Sequence, residues 1–178
     1  MRICNKKVKD CVNCDNAKCF SNYRLFVAKE FLRDAVLLYK HNRFKSAISR
    51  AYYAIINMVK SVLALEGRLE DLRHFDALVA FDSLIETCNF INESKCDAIS
   101  AIYNNSLELK YLQDFRRRID TRNFRTKLGL NLALVFGLRV ASDYHVFNEL
   151  DKDDAKACLE LAYSLLKDVR KMRALLWS

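Results

Sequence analysis

An arginine and a histidine stand with five residues between them in Leu138-Arg139-Val140-Ala141-Ser142-Asp143-Tyr144-His145, a largely apolar stretch. A guanidinium keeps its charge and presents a planar fork that matches phosphate oxygens. An imidazole exchanges protons near neutral pH. Together they are the minimum needed to cut RNA without a metal. His145 would take the proton of a ribose 2′-OH, or protonate the leaving 5′-oxygen. Arg139 would stabilise the charge that builds on the phosphorane. In one ideal helix the two side chains would lie about 120° apart. Convergence then requires a helix end near His145, which the break at Phe147-Asn148-Glu149 allows, or pairing across a dimer axis. The plainer reading pairs Arg139 with Asp143, its i+4 neighbour, and leaves His145 exposed at a helix end.

Three further groups carry chemistry. Arg50 lies on a mostly apolar segment, where it adds positive charge to a cleft or forms a structural ion pair. Asp143 is placed to orient His145 or Arg50, and Tyr144 adjoins the histidine. Cys4, Cys11, Cys14 and Cys19 form C-x6-C-x2-C-x4-C. Four thiolates make a closed tetrahedral site, and the C-x2-C pair is a usual zinc knuckle. Structural zinc is the expectation; an iron–sulfur cluster could use the same ligands, but the spacing matches no ferredoxin-type run. The alternative is a tail of reduced or redox-active thiols. Arg116, Arg117, Arg118, Arg122 and Arg125, with Lys127, form a basic cluster that is either a solvated face or an extension of an RNA groove. His41 and His74 are isolated and read as surface residues.

These residues need a scaffold, and the composition says which kind. There is no proline in 178 residues, and the three glycines are Gly67, Gly129 and Gly137. So few breakers predict an all-α chain of long helices with short connections. The net charge of +8 favours anionic partners. No apolar run reaches the roughly 18 residues of a membrane span. No apolar segment follows the charged start as in a signal peptide. A cytoplasmic protein without membrane association is expected, its cysteines in metal sites or buried as thiols.

Apolar spacing predicts helices over 23–39, 44–66, 71–91, 94–120 and about 124–147, and a last one after Asp151. The 44–66 segment carries the widest apolar stripe and is expected to be central, with Gly67 as its C-cap. Tyr52 continues that stripe, its hydroxyl expected to find a partner. Asp151 and Asp154 have the spacing of a capping box. Residues 1–20 read as a basic, cysteine-rich extension, and 21–178 as one up-and-down helical bundle.

Two blocks resemble the HEPN superfamily, in the branch that accompanies minimal nucleotidyltransferases. The first is Arg43 to Ala54, with its AISRAYYA segment; the second runs from Leu138-Arg139 through Asp143-Tyr144-His145 to Glu149-Leu150-Asp151 and the last helix. The resemblance covers about 20–90 and 133–175, leaving 94–132 as an insertion. It implies a homodimer whose final helices lie near the two-fold axis. It also implies that Arg139 and His145 of both protomers line one RNA-cleaving cleft. Many such proteins are toxins restrained by a nucleotidyltransferase antitoxin. This chain has Val140 where active members carry a polar residue. Phe147 stands where one subfamily has a tyrosine that its partner modifies. The expected function is a metal-independent endoribonuclease, in the role of the toxin of a toxin–antitoxin pair. The alternative is a catalytically silent module that binds a nucleotidyltransferase or nucleic acid.

Overall fold

The computed structural model describes residues 16–68, 72–88, 123–144 and 150–177. Among them are α1 (Asn16–Lys40), α2 (Phe44–Leu65), α3 (His74–Cys88), α4 (Lys127–Tyr144) and α5 (Lys152–Trp177), with no strand. The chain is an all-α bundle, as its composition requires. Segment 94–120, expected to be helical, lies outside the described residues, as does most of the 94–132 insertion.

Helix α1 begins at Asn16, seven residues before the apolar stripe becomes legible at Tyr23. Its first turns bury Cys19 and Ser21, residues small enough to pack closely yet too polar to read as a stripe. Leu25, Ala28, Leu32 and Ala35 continue the same face at three- and four-residue spacing. The helix stops in a Schellman turn. Asn42 takes a left-handed φ of 57°, and the Arg43 amide donates to the Leu38 carbonyl at 2.9 Å. This turn leads the chain back into α2.

Helix α2 is the centre of the bundle, packed against α1, α3, α4 and α5. Every residue from Ala54 to Ala64 is buried. Gly67 ends it as expected, with φ 78° and the Arg68 amide donating to the Leu63 carbonyl at 3.0 Å. Burial on all sides forces the polar groups of α2 to find partners within the protein. The Asn57 amide donates to the Tyr53 carbonyl at 2.8 Å, and its oxygen accepts from Arg24 at 3.1 Å. The Ser61 carbonyl accepts from the Ser21 hydroxyl. That hydroxyl accepts in turn from Arg173 Nε at 2.9 Å, while Arg173 Nη2 donates to Asn22 at 2.7 Å. This polar seam joins α1, α2 and α5.

A second latch sets α4 on α3. Thr126 is the N-cap of α4, its hydroxyl oxygen accepting from the Gly129 amide at 3.0 Å. That hydroxyl donates to the carboxylate of Asp82, a wholly buried residue of α3. The same carboxylate accepts from the Arg125 amide at 2.7 Å and the Thr126 amide at 3.2 Å. A negative charge thus meets the positive end of a helix. Gly129 makes the approach possible, since a Cβ there would lie 1.9 Å from Asp82 Oδ1.

Helix α5 opens with the expected capping box. Asp151 Oδ1 accepts from the Asp153 and Asp154 amides at 2.8 and 3.0 Å, and Asp154 accepts from the Asp151 amide at 3.1 Å. Burial holds the Asp154 carboxyl above its usual pKa of 3.8, against the Asp151 amide bond, with Asp151 and Asp153 adding repulsion.

Replacing Asp82 by Ala is expected to cost about 3 kcal/mol, because it strands two amides and a hydroxyl. Gly129→Ala is expected to cost about 1–3 kcal/mol through the clash with Asp82. Urea unfolding measures both, and wild-type midpoints would contradict the latch. Asp154 binds its proton more tightly folded than unfolded, so its contribution is present below pH 3.8 and is lost as pH rises through its raised folded pKa. Asp154→Asn should therefore gain stability relative to the wild type over that rise, as followed by unfolding at several pH values.

Candidate functional site

The Asp82 latch fixes where α4 starts, and packing on α2 fixes its rotation. Leu128, Leu132, Val135, Leu138 and Ala141 face inward. Arg139, next to Leu138, falls at the edge of this face beside Tyr52 and Tyr53 of α2. Its Nη2 donates to the Tyr53 hydroxyl at 2.9 Å. Its Nε lies 2.9 Å from the Asp143 carboxylate, one turn along α4. The guanidinium carbon sits 5.5 Å from the Tyr53 ring centroid and 6.0 Å from that of Tyr52. With a side chain only 15% exposed, Arg139 is held from three directions.

The tyrosines are themselves supported. Phe31 of α1 stacks on Tyr53 at 5.5 Å and 28°, and exposed Arg50 lies over the Phe31 ring at 5.4 Å. His74, the first residue of α3, packs edgewise against Tyr53 at 6.0 Å and 82°, and against Tyr52 at 5.6 Å. Phe136 of α4 meets Tyr52 at 5.6 Å. Four helices therefore contribute to one patch of two arginines, two tyrosines, a histidine, a carboxylate and the Phe31 ring. An oriented guanidinium with hydroxyl and imidazole neighbours has donor groups of the kind that phosphate oxygens accept from.

Several sequence expectations change here. Asp143 pairs with Arg139, the plainer of the readings above, and not with Arg50. Arg50 has no carboxylate partner among the described residues. His74 is half-buried in the aromatic cluster, not an isolated surface residue, because α3 starts directly against α2. The Tyr52 hydroxyl is buried and has no hydrogen-bond partner among the described residues, because the surrounding rings of His74 and Phe136 meet it by packing. Burial pushes that phenol far above its ordinary pKa, only partly opposed by the charge of Arg139. Tyr52 thus stays neutral. The Arg125 guanidinium is bound to Glu86 at 3.0 Å, while its amide serves the Asp82 latch.

Other expected site residues lie outside the described ones. These are His145, Arg116, Arg117, Arg118, Arg122, and the cysteines Cys4, Cys11 and Cys14. For Tyr144 only its place as the last residue of α4 is described. Cys19 is 8% exposed in the first turn of α1. No cluster of three metal-ligating side chains occurs among the described residues. Cys158 is buried, and burial pushes its thiol far above the usual range, so it is an inert core residue. No described helix is long and apolar enough to cross a membrane.

Sequence reasoning missed Tyr53 and His74 as site residues. Tyr53 had one signal: it adjoins core Tyr52 and so must lie about 100° around the helix, at the border of the buried face. His74 had none, since its neighbours come from distant parts of the chain.

The HEPN domain pattern matches residues 21–172. The chain is also similar to a UPF0332 protein of Thermotoga maritima. The two are 30% identical over 93 residues, which are 52% of this chain and 67% of the relative.

Removing the Tyr52 hydroxyl removes a buried polar group that makes no bond among the described residues. Tyr52→Phe is therefore expected to be neutral or to stabilise the fold by about 1 kcal/mol. A loss of that size in urea unfolding would mean that the hydroxyl is bonded in solution.

Proposed function

The chain belongs to the HEPN domain family, and from that premise we propose that it is a metal-independent endoribonuclease with Arg139 and His145 as its catalytic pair. The observation that carries this reading is the fixed posture of Arg139. A guanidinium bound to Tyr53, paired with Asp143 and set against two aromatic rings has little side-chain entropy left to lose on meeting a phosphate. Its charge is in place before the transition state develops, which is the condition for electrostatic stabilisation.

His145 follows directly on Tyr144, where the described part of α4 stops. In this reading it removes the proton of the 2′-OH, the 2′-oxygen attacks phosphorus, and the bond to the 5′-oxygen breaks as that oxygen is protonated. The residues in play are side chains only, so the step needs no metal. A homodimer would bring two such pairs to one cleft, and a minimal nucleotidyltransferase would restrain the enzyme as its antitoxin. Arg116, Arg117, Arg118 and Arg122 would extend the RNA path. Zinc on Cys4, Cys11, Cys14 and Cys19 would staple the N-terminal segment without entering the reaction.

Two observations favour a second reading. The Asp143 carboxylate neutralises part of the Arg139 charge, and Val140 supplies no polar group beside it. Both suit a catalytically silent module that binds a nucleotidyltransferase or nucleic acid.

RNA cleavage in EDTA separates the two readings. The wild type is expected to cleave, and Arg139→Ala and His145→Ala to lose about a hundredfold or more in rate while keeping their fold. Activity that survives both substitutions would place the chemistry elsewhere. No cleavage by any of the three would leave the silent module.

A further inference from the structure

Tyr53 does more than support Arg139. Its oxygen accepts from Arg139 Nη2 at 2.9 Å, which leaves its own proton to donate. No acceptor for that proton lies among the described residues. The side chain is half-buried and its bond to Arg139 only part-buried, whereas Tyr52 is wholly buried. A hydroxyl that accepts from a cation becomes a stronger donor, because the charge draws electron density from its oxygen.

Packing sets the direction of this donor. The Phe31 ring stacks at 5.5 Å and His74 meets it edgewise at 6.0 Å. The phenol is therefore held by its ring, and the bond to Arg139 adds to a position already determined.

We propose that Tyr53 is a second phosphate-binding residue, its hydroxyl donating to an oxygen of the same RNA phosphate that Arg139 contacts. This rests on the reading of Arg139 as the phosphate-binding cation. Two unlike donors then share one anion: a fork of fixed charge, and a neutral hydroxyl polarised by it. The AISRAYYA segment thereby holds one tyrosine for the core, Tyr52, and one for the substrate, Tyr53.

Tyr53→Phe keeps the ring and removes the donor. Two RNAs test it: a 2′-O-methyl strand that binds without being cut, followed by fluorescence anisotropy, and the unmodified strand under single-turnover conditions at saturation. The variant is expected to bind about five- to tenfold more weakly and to cleave about tenfold or more slowly, at an unchanged melting temperature. Added to Arg139→Ala, the substitution should cost less than about twofold more in affinity, since the two donors act as one unit. Wild-type affinity and rate in Tyr53→Phe would overturn the proposal. So would an equal loss in the Arg139→Ala background, which is the mark of a structural effect. A wild type that binds but does not cut ends the nuclease reading alone, and the affinity comparison still decides the role of Tyr53. A wild type that binds no RNA overturns both.

Discussion

The bundle is organised by the need to cover α2. From Ala54 to Ala64 that helix has no residue in water, so four other helices must supply its surroundings. Apolar side chains do most of this, but Asn57 and Ser61 cannot be covered by hydrocarbon without cost. Arg24, Ser21 and Arg173 answer them from α1 and α5. Burial thus dictates hydrogen bonds, and those bonds fix the helices relative to one another. The candidate site lies where the cover is incomplete, at Arg50 and Tyr53 in the first half of α2. There the same helix that anchors the core can present polar groups outward.

Position on α4 depends on a buried charge. Asp82 satisfies the Arg125 and Thr126 amides just before α4 and receives the hydroxyl of its N-cap, while Gly129 leaves room for the carboxylate. This arrangement fixes both the start of α4 and its distance from α3. Arg139, three turns along, inherits that placement and meets Tyr53 within hydrogen-bond reach. A functional side chain needs such support, because a guanidinium on a loosely held helix would lose orientation each time it met an anion. The latch is remote from the site and makes no contact with substrate in this reading, yet it sets the geometry that the chemistry would use.

What the sequence made legible was local. The stop at Gly67 and the capping box at Asp151 follow from residue types a few positions apart, and both occur as expected. The central role of α2 followed from the width of its apolar stripe. The Arg139–Asp143 pair was also readable, as an i+4 neighbour on one helix. Long-range polar contacts were not. Asp82 looks like any helical aspartate until Thr126 arrives, and Tyr53 looks like core until Arg139 reaches its hydroxyl, 86 residues away. His74 appeared isolated because its aromatic neighbours come from α2. The beginning of α1 was hidden for another reason: Cys19 and Ser21 are buried without being strongly apolar, so periodicity fails where packing still holds.

The central claim is that the protein cleaves RNA by attack of the ribose 2′-oxygen, with protons moved by a side chain and charge held by Arg139. The nature of the product ends tests it most directly. A defined RNA, cut in the presence of EDTA, is analysed by mass spectrometry for the groups on both sides of the break. Attack by the 2′-oxygen predicts a 2′,3′-cyclic phosphate on one fragment and a 5′-hydroxyl on the other. Fragments ending in a 3′-hydroxyl and a 5′-phosphate would mean that water was the nucleophile, and would contradict the claim.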